Sequence, residues 1–225
     1  MLYDIENILI NPFLYLTSIY FLNRYMNNYK NAFNLNIFLY FYNSFQILFN
    51  GYIVYGLYDI VNQGIINIPY SNKIEKFVYL HYISKYIDYL DTFFIILRKK
   101  NNQLSFLHIY HHSTVSIIWG FLLYMGHGNG TASFGCLVNS LIHVIMYSHY
   151  LITSCGINNP FKKYITQMQL AQFIILFIHS IIVISNFEKI YPIRYGYIQL
   201  IYQIQMIYLF TNFYKNNYNK IKIKN

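Results

Sequence analysis

A series of long apolar segments is the feature that most restricts how this chain can fold. Each segment is close to the roughly 20 residues that a helix needs to cross a bilayer. Seven can be drawn, at residues 8–22, 35–57, 77–97, 108–125, 133–153, 164–185 and 195–213. Glycine and proline residues cluster between them, where turns are expected. The pattern predicts an all-α polytopic membrane protein with seven transmembrane helices.

The composition supports a membrane protein rather than a soluble one. Of the 225 residues, 56% are hydrophobic and only 10% are charged, whereas soluble domains carry about 25% charged residues. A soluble chain of this length could not bury so much apolar surface in one core. No repeat or second domain is visible, so residues 1–225 are expected to form a single integral membrane domain. The acidic start of the chain predicts an uncleaved first span rather than a signal peptide.

The charged residues in the loops predict the orientation. The net charge of +9 is spread over short loops, so no nucleic-acid partner is expected. One side carries only cations: Arg24, Lys30, Arg98, Lys99, Lys100, Lys162, Lys163, Lys215, Lys220, Lys222 and Lys224. The other side mixes cations and acids: Lys73, Lys76, Lys189, Arg194, Asp4, Glu6, Asp59, Glu75 and Glu188. The positive-inside rule then predicts a cytosolic C-terminus, an N-terminus on the opposite side and an odd number of spans.

Three charged residues lie inside the predicted spans. Lys85, Asp88 and Asp91 share one side of the third segment, because they are three residues apart. Charged groups in hydrocarbon are costly, so they either neutralise one another or belong to a site. Both interpretations stay open from these residues alone.

Three histidines stand at the head of the fourth segment. His108, His111 and His112 form an HxxHH pattern, and positions i, i+3 and i+4 fall on one face of a helix. They could be core residues, metal ligands, or a nucleophile with its acid–base partners. Membrane di-iron enzymes use such boxes but need around eight histidines in three clusters. Here the other five are scattered: His81, His127, His143, His149 and His179.

Two further polar groups follow helical spacing. Asn139, His143 and Tyr147 stand at i, i+4 and i+8 of the fifth segment, and therefore share a face. Thr166, Gln169 and Gln172 recur every three residues in the sixth segment. Taken alone, either group could be interhelical hydrogen bonding.

Taken together and in order, these motifs resemble those of one family. Residues 85–92 resemble its KxxExxDT motif, residues 103–112 its QxSFLHxxHH motif, residues 139–150 its NxxxHxxMYxYY motif and residues 166–173 its TxxQxxQF motif. The family is the ELO family of very-long-chain fatty acid elongases, the condensing enzymes of the endoplasmic reticulum. Two positions depart from it: Asp88 stands where the family has glutamate, and His149 replaces a tyrosine.

The resemblance implies a reaction and a set of site residues. Elongases join a long-chain acyl-CoA to malonyl-CoA and leave a 3-ketoacyl-CoA, CoA and CO2, without a metal or redox cofactor. It implies His111 as the acylated nucleophile, His108 and His112 as groups that orient it and move protons, and His143 as an aid to decarboxylation. The residues expected to line the chamber or hold the histidines are Lys85, Asp88, Asp91, Asn139, Tyr147, Gln169 and Gln172. The helices would form a bundle or barrel around an acyl tunnel.

The resemblance also implies partners and a compartment. The expected partners are acyl-CoA, malonyl-CoA and the lipid bilayer, together with the ketoacyl-CoA reductase, dehydratase and enoyl reductase of the cycle; a homodimer is left open. The expected location is the endoplasmic reticulum membrane. The basic loop Arg98-Lys99-Lys100 either receives CoA phosphates or only sets the topology. The alternative functions are a membrane di-iron desaturase or hydroxylase, and a non-catalytic lipid-binding seven-helix protein.

Overall fold

A computed structural model describes residues 3–185 and 187–219, apart from the side chains of residues 61 and 219. The tail lysines Lys220, Lys222 and Lys224 lie outside the described residues. Regular structure in the described part is helical. The helices are α1 (Ile5–Asn28), α2 (Asn36–Leu57), α3 (Ile60–Gln63), α4 (Asn72–Ile87), α5 (Tyr89–Leu97), α6 (Phe106–Tyr124), α7 (Ser133–Ser154), α8 (Lys162–Ile184) and α9 (Ile193–Tyr214). Short 3₁₀ turns span Asn101–Gln103 and Gly130–Ala132, and a π-turn spans Lys215–Asn219.

Each of the seven predicted segments is helical in the structure. The third is divided at Asp88 into α4 and α5, although Asp88 keeps helical dihedrals (φ −61°, ψ −19°) and its amide donates to the Ser84 carbonyl at 2.8 Å. Three described stretches are long and apolar enough to cross a membrane: Ile5–Asn28, Gly130–Ser154 and Lys162–Ile184. The count of seven transmembrane helices stays a prediction.

The first helix is longer than its apolar window predicted. It runs over Ile5–Asn28 rather than residues 8–22 and contains Pro12 in its interior. Ile8 and Met26 are both buried, with 1% and 2% of their surface exposed. Packing around Met26, which a hydropathy window does not record, therefore accompanies the extension at the C-terminal end.

Six helical segments form a closed ring. In order of contact they are α2, the α4–α5 pair, α6, α9, α8 and α7, and α7 packs back against α2. Helix α1 lies outside this ring, against α5 and α6. The arrangement is a ring of helices, compatible with the bundle or barrel that the family resemblance implies.

Capping groups define the ends of α6, the helix that carries the three histidines. The Ser105 hydroxyl accepts a hydrogen bond from the His108 amide at 3.2 Å, as expected of an N-cap residue. At the other end, Gly126 adopts φ +71°, and the His127 amide donates to the Leu122 carbonyl at 2.8 Å. Glycine is favoured there because a side chain resists a positive φ. These caps place His108 in the first turn.

Loops that share a predicted side of the membrane meet at one end of the ring. The Glu188 carboxylate accepts from the Thr131 hydroxyl at 2.6 Å and the Asn67 amide at 2.7 Å, and from the amides of Ile190 and Tyr191 at 2.8 and 3.0 Å. Burial raises the pKa of Glu188, but these hydrogen bonds outweigh it and hold the pKa below its usual range. We call Glu188, Asn67 and Thr131 the loop junction; it joins three loops that the predicted topology places on one side.

The opposite loops also meet one another. The Phe33 amide donates to the Leu97 carbonyl at 3.0 Å, and the Lys99 ammonium donates to the Tyr29 carbonyl. These contacts join the basic loop after α5 to the loop after α1. The structure therefore groups the loops as the charge pattern predicted, while the side that faces the cytosol stays a prediction.

Candidate active site

The three histidines of α6 lie together near the start of the helix. The ring centroids of His108 and His112 are 4.3 Å apart, and those of His111 and His112 are 5.7 Å apart. All three side chains are half-buried. The His108 Nε2 atom is 2.8 Å from the Thr92 hydroxyl, which is also 2.8 Å from the Tyr15 hydroxyl. Contacts from α1 and α5 therefore hold the first imidazole in place.

The second histidine has a hydrogen-bond chain that selects its tautomer. Its Nδ1 atom is 3.2 Å from the Tyr202 hydroxyl, which is 3.4 Å from the Thr114 hydroxyl. Thr114 uses its own hydrogen to donate to the Tyr110 carbonyl at 2.7 Å, so it can only accept from Tyr202. When both contacts are made, Tyr202 donates to Thr114 and accepts from Nδ1–H of His111, because a hydroxyl has a single hydrogen. This leaves the lone pair on Nε2 of His111.

A cavity begins at His111 and extends between α6, α7, α8 and α9. Its lining includes Val115, Ile118, Trp119 and Leu122 from α6, Gly135 and Asn139 from α7, Gln172, Phe173 and Leu176 from α8, and Tyr195, Gln199, Tyr202 and Gln203 from α9. Tyr191 and Ala132 line it at the end near the loop junction. Along α6, the 11 steps from His111 to Leu122 correspond to roughly 16 Å of helix rise.

A buried ion pair approaches this cavity from α4. The Lys85 ammonium is 3.2 Å from the Asp88 carboxylate, and the two side chains are 1% and 3% exposed. The same ammonium donates to Oδ1 of Asn139 at 2.8 Å. Nδ2 of Asn139 is 3.4 Å from Oε1 of Gln172. The ion pair thus contacts the cavity wall through two amide side chains.

The remaining predicted residues of α5 and α7 lie in a network behind this wall. The Tyr147 hydroxyl is 3.0 Å from Asp88 and 2.7 Å from Asp91. The Gln46 amide donates to Asp88 at 2.8 Å and to Tyr147 at 3.1 Å. Asp91 and Tyr147 are not in the lining of the cavity described above. That these residues line the reaction chamber or hold the histidines in register stays a prediction.

Gln46 is a member of this network that sequence reasoning missed. It is fully buried on α2, and Tyr42, Gln46 and Asn50 follow i, i+4 and i+8 spacing within an apolar segment. The three were therefore detectable as a polar stripe. Tyr202 carried no comparable signal, because it is one of 27 tyrosines.

Neither His143 nor Gln169 lines the cavity, and the two have different surroundings. His143 is buried, and its Nδ1 atom is 3.7 Å from Asp88, too far for a hydrogen bond. Within the described ranges this nitrogen has no partner. The Gln169 amide instead donates to the Met146 sulfur at 3.4 Å, and Gln169 is not part of the cavity wall.

Three of the five scattered histidines have hydrogen-bond contacts to groups outside the histidine cluster. His81 lies 3.1 Å from the Ser140 hydroxyl, and His179 lies 2.8 Å from the Ile65 carbonyl. His127 pairs with the Tyr70 hydroxyl at 2.8 Å. Over residues 3–185 and 187–219, no group of three or more His, Cys, Asp or Glu side chains is arranged to hold a metal ion.

Comparison with known proteins places the chain in a family. Residues 1–225 match the family model ELO, described as the GNS1/SUR4 family. The chain is 40% identical over 212 residues to fatty acid elongase 5 of Leishmania major, covering 93% of this chain and 84% of the relative. It is 41% identical over 209 residues to fatty acid elongase 4 of Trypanosoma brucei brucei, covering 92% and 82%. It is 37% identical over 222 residues to very long chain fatty acid elongase 5 of Rattus norvegicus, covering 92% and 72%. The chain therefore belongs to the ELO family, and it is a membrane-embedded condensing enzyme of fatty acid elongation.

Proposed function

We propose that this protein is a 3-oxoacyl-CoA synthase that joins a long-chain acyl-CoA to malonyl-CoA through an acyl group carried on His111. The observation that supports this best is the position of His111. It lies at one end of a largely apolar cavity, and its hydrogen-bond chain leaves a lone pair on Nε2. A neutral imidazole in such a place is a nucleophile.

In the first half of the reaction, Nε2 of His111 attacks the thioester carbon of the acyl-CoA. The C–S bond breaks, CoA leaves as a thiolate and takes up a proton, and the acyl group stays on the imidazole as a cation. Tyr202, which accepts from Nδ1–H at 3.2 Å, stabilises that cation. His108 and His112, whose rings are 4.3 Å apart, orient the nucleophile and move the proton.

In the second half, malonyl-CoA loses CO2, and the electron pair of the broken C–C bond forms an enolate. The enolate carbon attacks the acyl carbon, the C–N bond to His111 breaks, and neutral imidazole is restored. We assign His143 to the developing enolate, because its buried Nδ1 has no partner in the described part of the chain. Loss of CO2 drives the condensation, so the scheme requires neither a metal nor a redox cofactor.

The cavity would take the acyl chain, and the basic loop would take CoA. The largely apolar walls between α6 and α9 suit a hydrocarbon chain. Arg98, Lys99 and Lys100 precede the histidine helix, at the end of the ring where phosphates of CoA would arrive from the cytosol.

The setting proposed for this reaction is the endoplasmic reticulum membrane. We propose seven transmembrane helices and a cytosolic C-terminus, on the basis of the charge difference between the two sets of loops. The ketoacyl-CoA reductase, the dehydratase and the enoyl reductase of the cycle are the proposed partners, and a homodimer is compatible with the exposed outer surface.

The test is the intact mass of the purified protein after incubation with a long-chain acyl-CoA, with and without malonyl-CoA, followed by peptide mapping. We expect an acyl adduct on His111 that disappears when malonyl-CoA is added, as 3-ketoacyl-CoA appears. Absence of both adduct and product across chain lengths, with iron bound to the protein, would instead support the di-iron desaturase. Product formed while a different residue carries the adduct would overturn the assignment of His111.

A further inference from the structure

The ion pair on α4 determines the orientation of an amide on the cavity wall. An ammonium group has three donors and no acceptor. The Asn139 atom that lies 2.8 Å from Nζ of Lys85 must therefore be its carbonyl oxygen. The NH2 group of Asn139 consequently lies on the other side, toward α8. Lys85 is 1% exposed and is paired with Asp88. The orientation of the Asn139 amide therefore does not depend on solvent.

The same argument applies to the next amide in the series. The Gln172 atom facing the NH2 group of Asn139 must accept a hydrogen bond, and it is Oε1 at 3.4 Å. The NH2 group of Gln172 is then turned away from Asn139. Among the described residues it has no hydrogen-bond partner, although Gln172 is only 4% exposed. Gln172, Asn139 and His111 line one cavity.

An unpaired donor that lines the same cavity as a nucleophile has a specific use. When His111 attacks a thioester, negative charge develops on the carbonyl oxygen, and donors fixed beforehand stabilise that charge. The polarity of both amides follows from one buried ammonium, so they need not reorient during the reaction.

We infer that Lys85 is a positioning residue, which acts through Asn139 to turn the Gln172 NH2 group toward the carbonyl oxygen of the acyl group during its transfer to His111. The inference rests on the proposed acyl transfer and adds a hydrogen-bond donor to it. Gln172 is the residue that contacts the substrate; Lys85 and Asn139 set its direction.

The substitution Asn139→Asp tests this with almost no change in shape. The new carboxylate still accepts from Lys85, but its second oxygen faces Gln172 and also accepts. The Gln172 amide should then turn over, with its NH2 group on the carboxylate and its oxygen toward the cavity. We expect acyl transfer to slow on the order of 100-fold, the effect of losing one oxyanion donor, with little change in KM.

A second variant distinguishes the effect of turning the Gln172 amide over from the effect of the negative charge that Asn139→Asp adds. Gln172→Met removes the donor and should slow acyl transfer by a similar factor. Adding Asn139→Asp to Gln172→Met should cause no further loss, because no amide is left to invert. If Asn139→Asp is as active as the native protein, or slows the reaction equally in both backgrounds, the inference is wrong.

The measurements are single-turnover formation of the acyl adduct and of 3-ketoacyl-CoA, with thermal unfolding in detergent as the check on folding. The exposed Gln167, whose amide contacts the Tyr214 hydroxyl at 2.9 Å, provides a matched control: Gln167→Met should keep native activity. Isotope-edited infrared spectra of a ¹³C-labelled acyl adduct give a second readout. The carbonyl frequency should rise in Gln172→Met, and an unchanged frequency would contradict the inference even if Asn139→Asp failed to fold.

Failure of the proposed function would look different. If the native protein formed product without an adduct on His111, the nucleophile assignment would be wrong. The rates of product formation in the two single variants and the double variant would still show whether the group at position 139 sets the direction of the Gln172 amide, the step through which Lys85 is inferred to act.

Discussion

The loop junction and the cavity with its nearby histidines use buried polar groups in opposite ways. At the loop junction, both oxygens of Glu188 accept hydrogen bonds from named partners, at 2.6–3.0 Å. By contrast, several buried atoms have no hydrogen-bond partner over the described ranges: His143 Nδ1 near the histidines, and Gln203 Oε1 and Tyr195 Oη in the cavity lining, Tyr195 being at the cavity end near the loop junction. Buried polar groups are costly unless they are paired. Full hydrogen bonding is expected for a buried polar group that stabilises the fold. Atoms without a hydrogen-bond partner are expected in a site where a bound substrate supplies the missing hydrogen bonds.

The largest effect is expected from substitutions at the histidine end, which should abolish activity without lowering stability. His111→Ala should lower the rate of condensation by about 10⁴-fold or more, as removal of a nucleophile does in other enzymes. Its thermal unfolding should stay close to native, because His111 is only half-buried. Product formation and unfolding are measured on the same preparation.

The control for that variant is a histidine at the other end. His127 contacts Tyr70 and packs on Tyr195, with ring centroids 4.7 Å apart, and it does not line the cavity. His127→Gln should therefore retain condensation. Equal loss of activity in both variants would mean that the two ends do not differ as described.

The opposite outcome is expected at the loop junction. Glu188→Gln replaces an oxygen that accepts hydrogen bonds with an NH2 group that faces other donors. We expect the protein to lose about 3 kcal/mol of stability, given the strength of hydrogen bonds to a charged group. The rate per folded molecule should change less than about twofold. Thermal unfolding in detergent and single-turnover product formation separate the two effects, and a large fall in rate with native stability would contradict this assignment.

The loop junction also predicts a pH dependence of stability. Hydrogen bonds hold the pKa of Glu188 below its usual value against the opposing effect of burial. A carboxylate with a lowered pKa in the folded state stabilises the protein above the unfolded-state pKa, about 4.3. That contribution is lost as the pH falls through the folded-state pKa. The native unfolding temperature should thus fall more than that of Glu188→Gln between about pH 5 and pH 3; parallel falls would refute it.

A smaller effect is expected between the two ends, where the cavity passes Gly135. A Cβ added at Gly135 would lie 3.6 Å from the Trp119 ring, an ordinary contact, so a larger residue fits but occupies cavity space. Gly135→Val should lower the use of the longest acyl-CoA substrates by about tenfold, as expected of a changed apolar pocket, and spare the shortest. Gly51→Val is the control, because a Cβ at Gly51 meets nothing within 4 Å. A uniform fall across chain lengths would argue against an acyl chain at this level.

The smallest effects come from two matched helix caps. The Ser105 hydroxyl accepts from the His108 amide at 3.2 Å, and the Ser71 hydroxyl accepts from the Ile74 amide at 3.1 Å. Each change to alanine should cost about 1 kcal/mol of stability. Only Ser105→Ala should also lower activity, by roughly two- to threefold, because the Ser105 cap orients the helical turn that carries His108. Activity loss in both variants would show that capping acts only through overall stability.

Much of the fold followed from patterns local to each segment. Three features depend only on spacing along one helix or on loop composition. They are the seven helical segments, the grouping of loops by charge, and the shared face of His108, His111 and His112. The structure places Asn139, Gln172 and His111 in the lining of one cavity. Helix α1 is longer than its apolar window, and Met26, which lies beyond that window, is buried against other helices.

Only the structure shows which of the predicted site residues line the cavity and which lie behind its wall. Asp91 and Tyr147 share motifs with cavity residues, yet they lie in the network that includes Gln46 of α2. Gln169 has the same three-residue spacing as Gln172, but it contacts Met146 rather than the cavity. A motif records which residues accompany one another, and it does not record which side chain faces the substrate.

By itself, the sequence determined that this is an all-helical membrane protein with three imidazoles on one helix face, because helical periodicity and the cost of polar groups in hydrocarbon act within single segments. Only the tertiary structure decided the tautomer of His111 and the direction of the Asn139 and Gln172 amides. Those depend on Tyr202 and Lys85, which approach from other helices. Hydrogen-bond direction depends on the pair of groups that meet, and distant parts of the chain meet only when the ring of helices closes.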